Sequence, residues 1–240
     1  VVTMRIFLVR HGQSHSNVDH STNKRIADHA IQLTDEGKAQ AALAGKGLAK
    51  CFSEFQDLQW SPSSLPRIRM WNSPYTRTRE TADILAGTCL RDNKLKPENW
   101  PSWIHDRREH LLLAEQQFGI FDGLNDAERE EQYPEFQAYY EKCKAFEGKL
   151  WPKMPLGESR FEVAQRVHQS FGTFHRDAER HNINNIVVVG HGTTNRAFTM
   201  MWLHLPYEWM HQEPNPNNCS IRLIENGVDK GYVFSGFDGP

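Results

Sequence analysis

The chain has 240 residues, 38% hydrophobic and 24% charged, with a formal net charge of −2. That length and apolar content allow one large α/β domain or two small ones with a packed core, and the near-balanced charge gives no footing to nucleic acid or an anionic membrane as main partner. No apolar run approaches the roughly 18 residues of a spanning helix. The opening Val1-Val2-Thr3-Met4-Arg5 leads straight into a strand pattern without signal-peptide features. Cys51, Cys89, Cys143 and Cys219 are widely spaced, with no Cys-x-x-Cys. That spacing favours reduced thiols over a disulfide frame or a zinc site, and a cytoplasmic location is expected.

In chain order, residues 4–9 read as a first buried strand. The stretch from His11 to Gln32 reads as a long polar loop. A helix is expected from Thr34, its N-cap, to about Phe52, with acids in its first turn. Trp60 to Arg67 reads as a surface connection. Ile68-Arg69-Met70-Trp71 is a second strand, followed by a helix over about 75–86. Residues 92–103 hold two prolines and little periodicity, and a charged, aromatic helical stretch follows near 125–147. From Glu158 to His181 an amphipathic helix carries Phe161, Val163, Ala164, Val167, Phe171 and Phe174 at helical spacing. A strand over 186–189, a helix from Thr193 to about Trp202, and strands near 219–224 and 231–235 complete the chain. This alternation predicts a three-layer α/β/α sandwich around a mostly parallel sheet. We expect residues 1–240 to form one domain, with an insertion over about 92–155 serving as a lid at the C-terminal strand ends.

Two His-Gly pairs follow the most apolar strands, in Leu8-Val9-Arg10-His11-Gly12-Gln13-Ser14 and Val189-Gly190-His191-Gly192. Open α/β sheets bind ligands at the C-terminal strand ends, and glycine lets backbone approach a ligand closely. Further segments are Ser73-Pro74-Tyr75-Thr76-Arg77-Thr78-Arg79-Glu80-Thr81-Ala82, Leu33-Thr34-x-x-Gly37-x-x-Gln40-Ala41 and Glu115-x-x-Phe118-Gly119-x-x-x-Gly123. Taken in their order along the chain, from Leu8 through Asn17 to Gly192, they resemble the histidine phosphatase superfamily, the fold of phosphoglycerate mutases and their phosphatase relatives.

The resemblance implies a phosphoryl-transfer site, and the residue types suit it. Phosphoryl transfer needs a nucleophile, positive charge on the phosphoryl oxygens, and an acid for the leaving oxygen. His11 would attack as a neutral imidazole and become a phosphohistidine. Arg10 and Arg77 would clamp the phosphate, with Asn17 as a neutral ligand. His191 would donate to the transferring group, and the Gly192 amide and the helix start at Thr193 would add positive potential. Glu115 precedes an aromatic-glycine pair, as the resemblance requires of the general acid; Glu109 is its nearest rival. Asp28-His29 is a candidate for the site mouth. Arg107-Arg108, Lys142, Lys144, Lys149 and Lys153 could add positive potential, although such charges usually form a solvated face. The remaining histidines, His20 among them, form no trusted metal spacing.

The expected activity is a cofactor-free, metal-independent phosphatase for a small phosphorylated substrate or a broad range of phosphomonoesters. Phosphoglycerate mutase activity is the alternative. The Arg-Arg pair that such mutases carry in the insertion is missing after Gly123, where Asn125-Asp126-Ala127-Glu128-Arg129 stands. An inactive binding module is a second alternative, against which all five catalytic candidates are present. No nucleotide-binding glycine motif occurs, and nothing in the sequence decides for or against a homo-oligomer.

Overall fold

The computed structural model describes residues 4–54, 68–92 and 107–238. Its strands are β1 (Arg5–Arg10), β2 (Ile68–Asn72), the two-residue β3 (Arg108–Glu109), β4 (Asn185–Gly190), β5 (Ile221–Glu225) and β6 (Val228–Phe234). They form one six-stranded sheet in the order β3-β2-β4-β1-β5-β6. β1 to β4 run parallel; β5 and β6 are antiparallel additions. Every residue of β2 and β4 is buried, which suits the apolar run Ile186–Val189 of β4, while the buried Arg69 of β2 is paired with Asp177 at 2.7 Å.

The helices are α1 (His15–Val18), α2 (Asp35–Glu54), α3 (Thr76–Asp92), α4 (Asp126–Gln132), α5 (Pro134–Glu147), α6 (Arg160–His181), α7 (Gly192–Trp202) and α8 (Trp209–Gln212). Strand alternation divides the core. Phe7 and Val9 point to α2 and α3, meeting Ala44, Leu48, Phe52 and Leu85. Ile6 and Leu8 point the other way, to Val163, Val167, Phe171 and Phe174 of α6 and Phe198 of α7. The three layers expected from the sequence are therefore present. A smaller cluster of Phe121, Tyr140 and Met154 lies outside them.

Local chemistry sets the helix ends. Thr34 Oγ1 accepts from the Gly37 amide at 3.0 Å, the N-cap read from the sequence. Ser159 and Glu162 form a capping box at the start of α6, and Asn182 ends it in the left-handed region at φ 50°. The helical stretch expected over 125–147 is two helices. Pro134 has no N–H to continue α4 and instead opens α5 as an N-terminal proline. The expected loop from His11 to Gln32 contains α1 and two 3-10 turns, His20–Lys24 and Asp28–Ala30, closed by local side-chain bonds such as Asp19 to the Ser21 amide. α3 runs past the expected Ala86, because Leu85 and Cys89 keep one buried stripe. Phe161 departs from its expected core position. It is 37% exposed and packs against Trp151, because the buried face of α6 starts at Val163. The connection read over Trp60–Arg67 and most of the proline-containing stretch over 92–103 lie outside the described residues. No helix among the described residues is long and apolar enough to cross a membrane.

Candidate active site

Strand register brings the two His-Gly pairs together. In the β1–β4 ladder Arg10 faces Gly190, so His11 and His191 leave adjacent strand ends side by side, with ring centroids 5.3 Å apart. β2 ends one position earlier, Asn72 facing Val189, and delivers Ser73 to the same edge. The loop after His11 sits flush on α2. A Cβ on Gly12 would overlap the Gly37 carbonyl, and one on Gly37 would overlap that of Gln13. Gln40 Oε1 accepts from the Gln13 amide at 2.9 Å, and Thr81 Oγ1 from the Gly12 amide at 3.1 Å. The glycines and polar residues of the supporting motifs are thus the packing that seats His11.

His11 is buried, and its Nδ1 lies 2.7 Å from the Gly12 carbonyl. A carbonyl can only accept, so Nδ1 carries the proton and Nε2 keeps its lone pair. Burial first, then Arg77 and Arg10, hold the imidazole well below its ordinary pKa, so it is neutral. His191 is also fully buried and shifted the same way, chiefly by burial and then by Arg77. Its Nε2 lies 2.8 Å from Ser73 Oγ, while its Nδ1 is buried with no partner among the described residues.

Arg77 stands in the first turn of α3. It donates to the Asp28 carbonyl at 2.6 Å and to Asp28 Oδ1 at 2.9 Å, and lies over the Tyr75 ring. Arg10 is anchored on the Pro216 carbonyl. Asn17 Oδ1 is taken up by Ser14, through its amide at 3.0 Å and its hydroxyl at 3.1 Å, which leaves the Asn17 NH2 as the group available to a ligand.

Glu115 reaches the start of α7. Its carboxylate accepts from the Thr193 and Thr194 amides, each at 3.2 Å, from Thr194 Oγ1 at 3.1 Å and from the Gln116 amide at 2.9 Å. This corrects one expectation. The helix start at Thr193 is not open to a phosphate, because Glu115 already occupies those amides. The Glu115 segment is held in turn by Arg166 of α6, which donates to the carbonyls of Leu112, Ala114 and Glu115 and to both oxygens of Glu158.

These groups border a cavity of about 680 Å³. Arg10, His11, Asn17, Arg77, Glu115 and Gly192 line it directly; His191 is not among its lining residues, and its ring stands 5.3 Å from that of His11. Asp28 joins the lining, as its motif position suggested; His29 does not, and packs toward Tyr75. The segment after β3 supplies another wall through Phe118, Phe121, Asp122 and Arg129. Glu109 is absent from the lining. It is bound bidentately by Arg79 on the surface, which holds its carboxyl below the usual range. Arg107 pairs with Asp83 and Arg108 with Asp177, while Lys144 and Lys153 pair with Glu141 and Glu162. None of the six lysines and arginines flagged outside the motifs lines the cavity. Sequence reasoning missed Arg160, Arg196, Ser73 and Arg166, and discounted His20, which lines the cavity. Only the Ser73-Pro74 motif signalled any of them.

The family and the fold are shared with known proteins. The model of the histidine phosphatase superfamily (branch 1) matches residues 6–234. A phosphoglycerate mutase-like protein of Arabidopsis thaliana, AT74, is 32% identical over 96% of this chain and 67% of its own length. The broad-range acid phosphatase DET1 of Saccharomyces cerevisiae is 26% identical over 92% of this chain and 84% of its own. Among solved structures, a mycobacterial glucosyl-3-phosphoglycerate phosphatase superposes with TM-score 0.63 at 21% identity, covering 99% of this chain and 100% of that one. The chain belongs to branch 1 of the histidine phosphatase superfamily.

Proposed function

We propose that this protein is a phosphomonoesterase that works through a phosphohistidine on His11. The observation that carries the reading is the His11 tautomer: with Nδ1–H committed to the Gly12 carbonyl, Nε2 is the free nucleophile, between Arg10 and Arg77. In the first step Nε2 bonds to phosphorus as the bond to the leaving oxygen breaks, and Glu115 gives that oxygen a proton. In the second step a water attacks phosphorus, Glu115 takes the water's proton, and the Nε2–P bond breaks to release phosphate. Arg10 and Arg77 hold the equatorial oxygens throughout, with the Asn17 amide beside them. Ser73 Oγ donates to His191 Nε2, which leaves Nδ1–H of His191 as a further donor toward the phosphoryl group.

The acid phosphatase relatives support hydrolysis, and the cavity of about 680 Å³ suits a small metabolite. The described part of the inserted segment, residues 107–155, is the lid in this reading. The mutase-like relatives keep transfer to a second substrate oxygen as the other outcome of the same phosphohistidine.

The test is hydrolysis of phenyl phosphate by wild type and His11→Ala, with and without a chelator. The expected result is turnover that survives chelation and falls by about a thousandfold or more in the variant. Equal rates in the two proteins would overturn the reading.

A further inference from the structure

We propose that Arg160 and Arg196 form a subsite for a second anionic group, a carboxylate or a second phosphate, on the alcohol portion of the substrate; this rests on the phosphatase reading above. The two arginines come from the first turn of α6 and the second turn of α7, and both line the cavity that contains His11. The other guanidiniums of that lining are already engaged. Arg77 pairs with Asp28, Arg129 pairs with Asp126 at 3.1 Å, and Arg10, adjacent to His11 in sequence, holds the transferred phosphoryl group in the proposed mechanism.

Arg160 and Arg196 differ. Among the described residues the Arg160 guanidinium has no hydrogen-bond or ion-pair partner, and Arg196 donates only to the carbonyls of Gly192 at 3.3 Å and Glu213 at 3.2 Å. Burial is the main cause that lowers both, and proximity to Arg160 helps bring Arg196 down to about 10. Two like charges share a partly desolvated wall without a counter-ion of their own. Glu115 is the carboxylate whose field reaches both, yet it is held by its own donors at the start of α7. The lining also holds two carboxylates, Asp28 and Asp122, the former paired with Arg77. Asp28 and Asp122 are bridged by Asn23 Nδ2, and burial followed by the field of Asp28 pushes the Asp122 carboxyl up. An anionic substituent is therefore drawn to Arg160 and Arg196, which have no carboxylate paired to them among the described residues, and this orients the alcohol relative to His11.

The experiment compares three three-carbon substrates: glycerol 3-phosphate with no second anion, 3-phosphoglycerate with a carboxylate, and propane-1,3-diol bisphosphate with a phosphate. We expect wild-type kcat/KM to be at least about tenfold higher for one or both anion-bearing compounds, and the better of the two identifies the anion. Arg160→Gln should reduce that ratio by about tenfold, as expected for loss of a charge-assisted bond, and Arg160→Lys should restore part of it. Arg196→Gln is the second variant. Because the readout is a ratio between substrates in one protein, partial misfolding lowers both rates and leaves it unmoved. A wild-type ratio near one, or a ratio unchanged by both Gln variants, would overturn the subsite. Absence of any turnover would count against the phosphatase reading alone. The same ratio is then read as calorimetric affinities for the three compounds, with the same outcomes for and against.

Discussion

Arg166 donates to the backbone carbonyl of Glu115 at 3.0 Å, across 51 positions of sequence. The same guanidinium takes the carbonyls of Leu112 and Ala114, while Glu158 anchors its other edge. A general acid on an irregular segment needs such support, because an unrestrained loop would not hold a carboxyl within reach of a leaving oxygen. Arg166 is thus a positioning residue in the proposed mechanism.

Arg166→Gln is expected to lower kcat by about 10- to 100-fold, with a smaller change in KM. The loss should be larger for glycerol 3-phosphate than for 4-nitrophenyl phosphate, whose leaving group needs no proton. An equal loss on both substrates would show that Arg166 serves packing only.

Activity should peak at mildly acidic pH. Glu115 must carry a proton to donate, which favours lower pH. The nucleophile does not oppose this, because burial and Arg77 keep His11 neutral well below its ordinary pKa of 6.5. Glu115→Gln should lower kcat by about 10²- to 10⁴-fold and remove the acidic rise. A flat or alkaline wild-type pH–rate profile would sink Glu115 as the acid.

Stability should move the other way with pH. His11 and His191 are held well below 6.5 in the folded protein, so between that depressed value and 6.5 the unfolded chain binds more protons. Their contribution to stability is complete above 6.5 and is lost as pH falls below it, by about 1.4 kcal/mol per pH unit for each histidine. Melting temperatures measured from pH 7.5 to 5 should fall below 6.5, and His11→Gln should flatten that slope. A wild-type curve without slope in this window would contradict the neutral pair.

Gly37→Ala should damage the site from a distance. Its Cβ would overlap the Gln13 carbonyl, in the loop that carries His11. Relieving the overlap should cost about 1–3 kcal/mol and displace that loop. Thermal melts and phenyl phosphate kinetics should both drop, with kcat/KM down by more than about tenfold; a wild-type value of either would argue that the loop shifts freely.

The sequence by itself determined the elements whose signals are local. Apolar runs marked β1 and β4, the short Ile68–Trp71 segment marked β2, Thr34 marked the start of α2, and the paired His-Gly motifs marked both strand ends that carry the imidazoles. His11, Arg10, Arg77, Asn17 and Glu115 were legible because each stands in a motif at fixed spacing. Tertiary structure decided what depends on distant contacts. Only the β1–β4 register makes the two histidines neighbours. Only the docking of Glu115 on α7 closes the Thr193 and Thr194 amides to a ligand. Arg160 and Arg196 stand on ordinary helical sequence, 36 positions apart by their numbers, and no local pattern marks them. They share a cavity wall because α6 and α7 pack on the same face of the sheet, a relation set by burial of Phe171 and Phe198 rather than by either arginine.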